Sequence, residues 1–183
     1  MPFSNSANRY GLVTQTLHWL VVLLVIVQFV LADVVDDLPR GAEKLEWIAR
    51  HRSVGLTIMV VALFRVAWRI FDRLPDPVPM PAWQRKAATL SHWGMYALLF
   101  ALPLTGWMMS SAEGARVVWF GMLQLPDLVV PSQQLGEALH EIHEVLATSL
   151  LVLAGLHVLA ALKHQLLDRD RLLSRMLPWG RPR

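Results

Sequence analysis

No cysteine occurs in the 183 residues. Its absence removes structural disulfides, thiolate-held iron–sulfur clusters, Cys-rich zinc sites and the C-x-x-C-H attachment of a c-type haem. Charge is also scarce, at 17% of the chain against 55% apolar residues. That balance excludes an ordinary soluble domain of this length. What remains is a membrane protein in which any metal is held by ligands other than thiolates, and the 7 histidines are the candidates.

Four apolar runs are long enough to span a hydrocarbon core about 30 Å thick. They cover about residues 12–32, 53–71, 87–109 and 142–162. The expected fold is all-α: a single domain over residues 1–183, an integral membrane four-helix bundle. Arg9 ahead of the first run admits a signal-peptide reading, but Asp33 follows Ala32 with no small-x-small cleavage site, so a retained helix is expected. Pro103 falls inside the third run, where a membrane helix accommodates it with a kink. Residues 117–130 are apolar but too short to span and are broken by Pro126, so they are expected at the interface or packed on the bundle. Pro75, Pro77, Pro79 and Pro81 make an extended connection between the second and third helices.

Lys and Arg are unevenly distributed. The N-terminus, the Pro-rich connection and the C-terminal tail, taken as one side with the adjoining helix ends, hold 12 basic and 4 acidic residues, a net +8. The opposite side holds 5 basic and 10 acidic residues, a net −5. Basic residues favour the cytoplasm, which places both termini inside and the acidic face outside. Arg9, Arg65, Arg69 and Lys163 could meet the propionates of a bound haem but are accounted for as well by this rule, and are assigned no further role. Trp19, Trp47, Trp68, Trp93, Trp107, Trp119 and Trp179 are expected to be mostly interfacial anchors.

Ionisable residues inside membrane helices are costly and mark function. His157 sits in LLVLAGLHVLAALKH, six residues before Lys163 and hence about 9 Å inside the boundary. His18 lies at a comparable depth in the first helix, so the two can meet near the inner leaflet. His51, between Arg50 and Arg52, opens the second helix from outside, and His143, between Glu141 and Glu144, opens the fourth; these two can meet near the outer leaflet. His143 and His157 are 14 residues apart, nearly four turns, so they share a face about 21 Å apart. His140 is rotated roughly 100° from that face. Paired imidazoles at two depths suit the axial positions of two b-type haems whose flat rings fill the bundle core. Zinc fits less well with two ligands per level. A haem-free transporter or scaffold with a histidine proton relay is the rival from another class. Gly55, Gly106, Ala154 and Gly155 would admit a flat macrocycle or serve close helix packing. His92 is a further inner-side histidine, a third ligand candidate, a quinone hydrogen-bonding group or a polar partner in the bundle. His164 falls at headgroup depth, where a solvated ring or a propionate contact is expected.

TLHWL in the first helix, RHRSVG at the second and LHEIHEVLATSLLVLAGLHVLAALKHQ in the fourth are together similar to the bacterial cytochrome b561 family. The similarity covers essentially the whole chain. It implies a four-helix, di-haem membrane cytochrome, with His18 and His157 on the inner haem iron and His51 and His143 on the outer one. The best-defined member type is a superoxide oxidase, so the resemblance implies electron transfer from superoxide outside to ubiquinone. Arg50 and Arg52 are candidate contacts for the anion or a propionate, or anchors to lipid headgroups. The net −5 of the outer side opposes superoxide approach unless Arg40, Lys44, Arg50 and Arg52 form a local basic funnel. The alternative is a di-haem electron-transfer subunit that relays electrons between a redox partner protein and the quinone pool. The lipid bilayer is a partner in either case, and no nucleic acid is expected.

Overall fold

The computed structural model describes residues 3–170 and 172–177; Trp179 and the end of the basic tail lie outside them. Four long helices make up the chain: α1 (Leu12–Asp37), α2 (Ala42–Phe71), α3 (Ala82–Ala112) and α4 (Gln133–Lys163). Each is long and apolar enough to cross a membrane. The protein is thus an all-α membrane bundle, with one short hairpin of β1 (Val118–Trp119) and β2 (Leu123–Gln124).

The helices outrun the apolar stretches that mark them. α2 starts at Ala42, eleven residues before its apolar run, with Glu43 in its first turn, where the helix dipole favours an acid. α4 starts at Gln133 because Ser132 caps it, its side chain accepting from Leu135 N–H. Apolar length measures the part embedded in lipid, whereas backbone hydrogen bonding carries a helix on into the headgroups. α1 stops where Leu38 precedes Pro39 and takes extended backbone. α3 runs through Pro103 without interruption.

α1 packs on α2, α2 on α3, and α3 along α4. α4 stands off from α1 and α2, leaving a gap along the bundle. Mid-bundle, Val21, Ile58, Ala62, Leu99 and Leu150 form a buried apolar cluster. At one end the N-terminal segment, the Pro-rich connection and the C-terminal segment are tied together. Asn5 N–H donates to Asp72 Oδ2 at 3.0 Å, Asp76 N–H to Ala7 O at 2.8 Å, Arg175 Nη1 to Asp76 O at 2.7 Å and Trp19 Nε1 to Met176 O at 2.9 Å.

The hairpin closes the other end. Phe120 and Gly121 both have positive φ, 48° and 72°, inside a three-residue loop in which Met122 N–H donates to Trp119 O at 3.0 Å. It packs on α2 through Trp119, whose Nε1 donates to Thr57 Oγ1 at 3.1 Å, and through Phe120 N–H, which donates to Ser53 Oγ at 3.0 Å. Val117 is buried while Phe120, Met122 and Leu123 are exposed. The apolar stretch 117–130 therefore packs on the bundle, one of its two expected placements, and leaves an apolar edge exposed. Trp119 is a strut between hairpin and helix.

Two histidine levels across a gap

Helical spacing brings the four central histidines into two pairs across the gap. His18 of α1 faces His157 of α4 with ring centroids 6.4 Å apart, and His51 of α2 faces His143 of α4, also at 6.4 Å. A metal bridging two imidazoles through bonds of about 2 Å, with each ring's half-width added, sets ring centres about 6 Å apart. Both pairs have that separation. The donor set is imidazole alone, with no thiolate in the chain. His18 Nδ1 and His51 Nδ1 are buried with no partner among the described residues, so the protein alone leaves both rings incompletely satisfied. The apolar cluster containing Leu150, seven residues from each of His143 and His157, separates the two levels.

At the outer level the surroundings set the histidine tautomers. Thr105 Oγ1 donates its single hydroxyl proton to Leu102 O at 2.9 Å, so towards His143 Nδ1, 3.0 Å away, it accepts. His143 then carries its proton on Nδ1 and leaves Nε2 bare, the form a metal takes. A Cβ at Gly106 would sit 3.3 Å from His143 Cε1, so the glycine lets the ring lie against α3. Opposite, the Gln28 amide donates to His51 Nε2 at 3.0 Å and thereby selects the same tautomer. Gly55 gives that amide room, since a Cβ there would come within 3.2 Å of it. A metal taking His51 Nε2 would replace the amide. Thr105 and Gln28 went unnoticed in the sequence; polar residues inside apolar runs were the available signal.

The remaining candidates separate clearly. His140 is exposed and pairs with Glu144 at 3.2 Å. His92 of α3 lies 5.3 Å from His157, too close for a metal between the rings, and makes the inner level a cluster of three. His164 begins a π-helical turn, His164–Asp168, that ends α4, and its Nδ1 meets Asp170 Oδ2 at 2.5 Å and Asp168 Oδ2 at 3.3 Å. It is thus held by carboxylates rather than free in solvent. Arg52 pairs with Glu113 at 3.6 Å, and Arg50 pairs with Glu46 at 3.7 Å while lying 4.4 Å over the Trp47 ring. Lys44 Nζ donates to Leu38 O at 3.0 Å. The basic residues flanking His51 are therefore partly neutralised where they stand.

Residues 9–179 match the family described as prokaryotic cytochrome b561. Cytochrome b561 homolog 2 of Escherichia coli strain K12 is 32% identical over 97% of this chain and 95% of its own length. The protein named "Probable superoxide oxidase CybB" of Yersinia pestis is 31% identical over 93% of this chain and 97% of its own. Cytochrome b562 of Cereibacter sphaeroides is 27% identical over 92% of both chains. With four membrane-crossing helices and this family match across nearly its whole length, the chain belongs to the prokaryotic cytochrome b561 family, haem b-binding electron-transfer proteins of the bacterial membrane.

Proposed function

We propose that this single-domain chain carries electrons through the bacterial inner membrane by way of two b haems, from superoxide at the outer face to ubiquinone. His18 and His157 hold the inner haem and His51 and His143 the outer one. The observation that carries this reading is the pair of equal 6.4 Å imidazole separations across the gap left by α4. Held by these histidine pairs, the haems would supply outer-sphere, one-electron transfer. Two superoxide ions each give up one electron and leave as dioxygen, and one quinone takes two electrons and two protons to become quinol. His92, beside His157, is a hydrogen-bonding group for quinone at the inner level. The distribution of basic residues supports an orientation with both termini in the cytoplasm.

The ion pairs of Arg50 and Arg52 favour a second reading, in which the acidic outer face receives a basic redox protein and superoxide is not the donor. One experiment separates the two. The purified protein, oxidised in detergent, is exposed to a superoxide generator with and without ubiquinone while its visible spectrum is recorded. Reduction of low-spin b haem that turns over with quinone supports the oxidase. Haems indifferent to superoxide would move the donor role to a partner protein, and a chain that binds no haem would leave the proton-relay class.

Thr105 offers a second check. Thr105→Val keeps the shape but removes the acceptor that holds His143 Nδ1–H, and loss of such an outer partner costs about 10–100-fold in metal affinity. Haem titration followed in the Soret band is expected to show that loss at the outer level alone. Equal affinity at both levels in this variant would remove Thr105 from the account.

A further inference from the structure

Arg65 follows His51 on α2 by fourteen residues, the interval that separates His143 from His157 on α4. Nearly four turns return it to the face that carries His51, about 21 Å deeper. It therefore reaches the inner histidine level on the side of α2 turned to the gap. Its neighbour there is Tyr96 of α3, one turn beyond His92. Its guanidinium is half-buried, 5.4 Å from the centre of the Tyr96 ring. Among the described residues no carboxylate pairs with it and no oxygen accepts from it. Arg52 has Glu113, Arg50 has Glu46, and Arg175 donates to Asp76 O.

An arginine at this depth without an acceptor is expensive, and the aromatic face of Tyr96 attracts its charge without satisfying its five N–H donors. The missing partner is an anion that the chain does not supply. A neutral quinone would leave the charge uncompensated. A b-type haem held by His18 and His157 carries two propionate carboxylates, and a guanidinium fork suits a carboxylate better than any other side chain does. We propose that Arg65 is the anion partner of the inner haem, taking one of its propionates at the edge of the gap. This rests on the two-haem reading above.

The test uses the full chain, produced without haem and titrated in detergent with haem b or with its dimethyl ester, which has no carboxylate. Wild type, Arg65→Leu and Arg65→Lys are compared, with each haem followed in the Soret band and by redox titration. In Arg65→Leu the inner haem is expected to bind roughly 10–100-fold more weakly, the range of a hydrogen bond to a charged group, with the outer haem unchanged. Its reduction potential falls, because a positive charge that disfavoured the ferric state is gone. Arg65→Lys recovers part of the loss. The ester, which removes both carboxylates, weakens the inner site of the wild type at least as much as the leucine does, and costs Arg65→Leu less than it costs the wild type. The haem-free leucine variant melts no lower than wild type, since it has shed an unpaired buried charge; a purely structural arginine would lower the melting temperature. Wild-type inner affinity in Arg65→Leu, or losses from ester and mutation that multiply, would overturn the proposal. A deficit seen only when anionic lipid is added would overturn it too, and would assign Arg65 to a lipid phosphate. A wild-type chain that binds fewer than two haems would sink the two-haem reading itself, independently of the Arg65 variants.

Discussion

His157→Leu is expected to yield a protein with half the haem of the wild type, and His143→Leu a protein with the complementary half. The two residues lie on one face of α4, separated by nearly four turns and by the apolar cluster around Leu150. Each substitution should therefore remove one level without disturbing the other. Removing an iron ligand outright should exceed the about 100-fold loss that follows from disturbing an outer hydrogen bond. Transmembrane electron transfer in proteoliposomes should fall to background in both variants, since a single level no longer connects the two faces. Haem per polypeptide and the low-spin spectrum of the remaining haem are the measurements. His92 supplies a complication that can be controlled, because it lies 5.3 Å from His157 and is an imidazole in the same space. If His157→Leu retains two haems while the double variant with His92→Leu retains one, His92 has substituted. Two haems in the double variant would refute the assignment of the inner level.

Much of this arrangement is legible in the sequence because membrane depth is linear in residue number along a helix. Counting from the charged boundaries places His18 with His157 and His51 with His143 before any coordinates are considered, and the structure brings the same pairs together. The four spans are equally legible, since lipid demands long apolar stretches. The illegible features depend on contacts between distant residues that leave no periodic trace. The pairing of Arg52 with Glu113 is one; it turns a basic motif beside His51 into a half-neutralised one. The hairpin at 118–124 is another, because each strand is two residues long and is held by Ser53 and Thr57 of α2 rather than by its own pattern. Thr105 and Gln28 read as minor interruptions of apolar runs, and only the position of the neighbouring helix shows that each meets a histidine. Arg65 reads as an ordinary inner-side cation until the lack of a partner is visible.

Leu150→Asp is expected to be the most damaging substitution away from the histidines. Leu150 lies midway between His143 and His157, is 6% exposed, and packs with Val21, Ile58, Ala62 and Leu99 from the other three helices. α4 otherwise stands off from α1 and α2, so this cluster is where it is fastened across the gap. An aspartate near the bilayer centre costs about 2.5–3.5 kcal/mol on insertion scales, and the packing of the leucine is lost besides. Against a typical total stability of about 5–15 kcal/mol, that is a large share, enough to lower both the melting temperature and the accumulation in the membrane. Leu150→Met, close in volume and flexible, should cost less than about 1.5 kcal/mol and preserve both haems. Thermal melting in detergent and the yield of membrane-inserted protein distinguish the two variants. An aspartate variant that melts like the wild type would mean that the cluster does not fasten α4, and that the cofactors alone hold the helix in place.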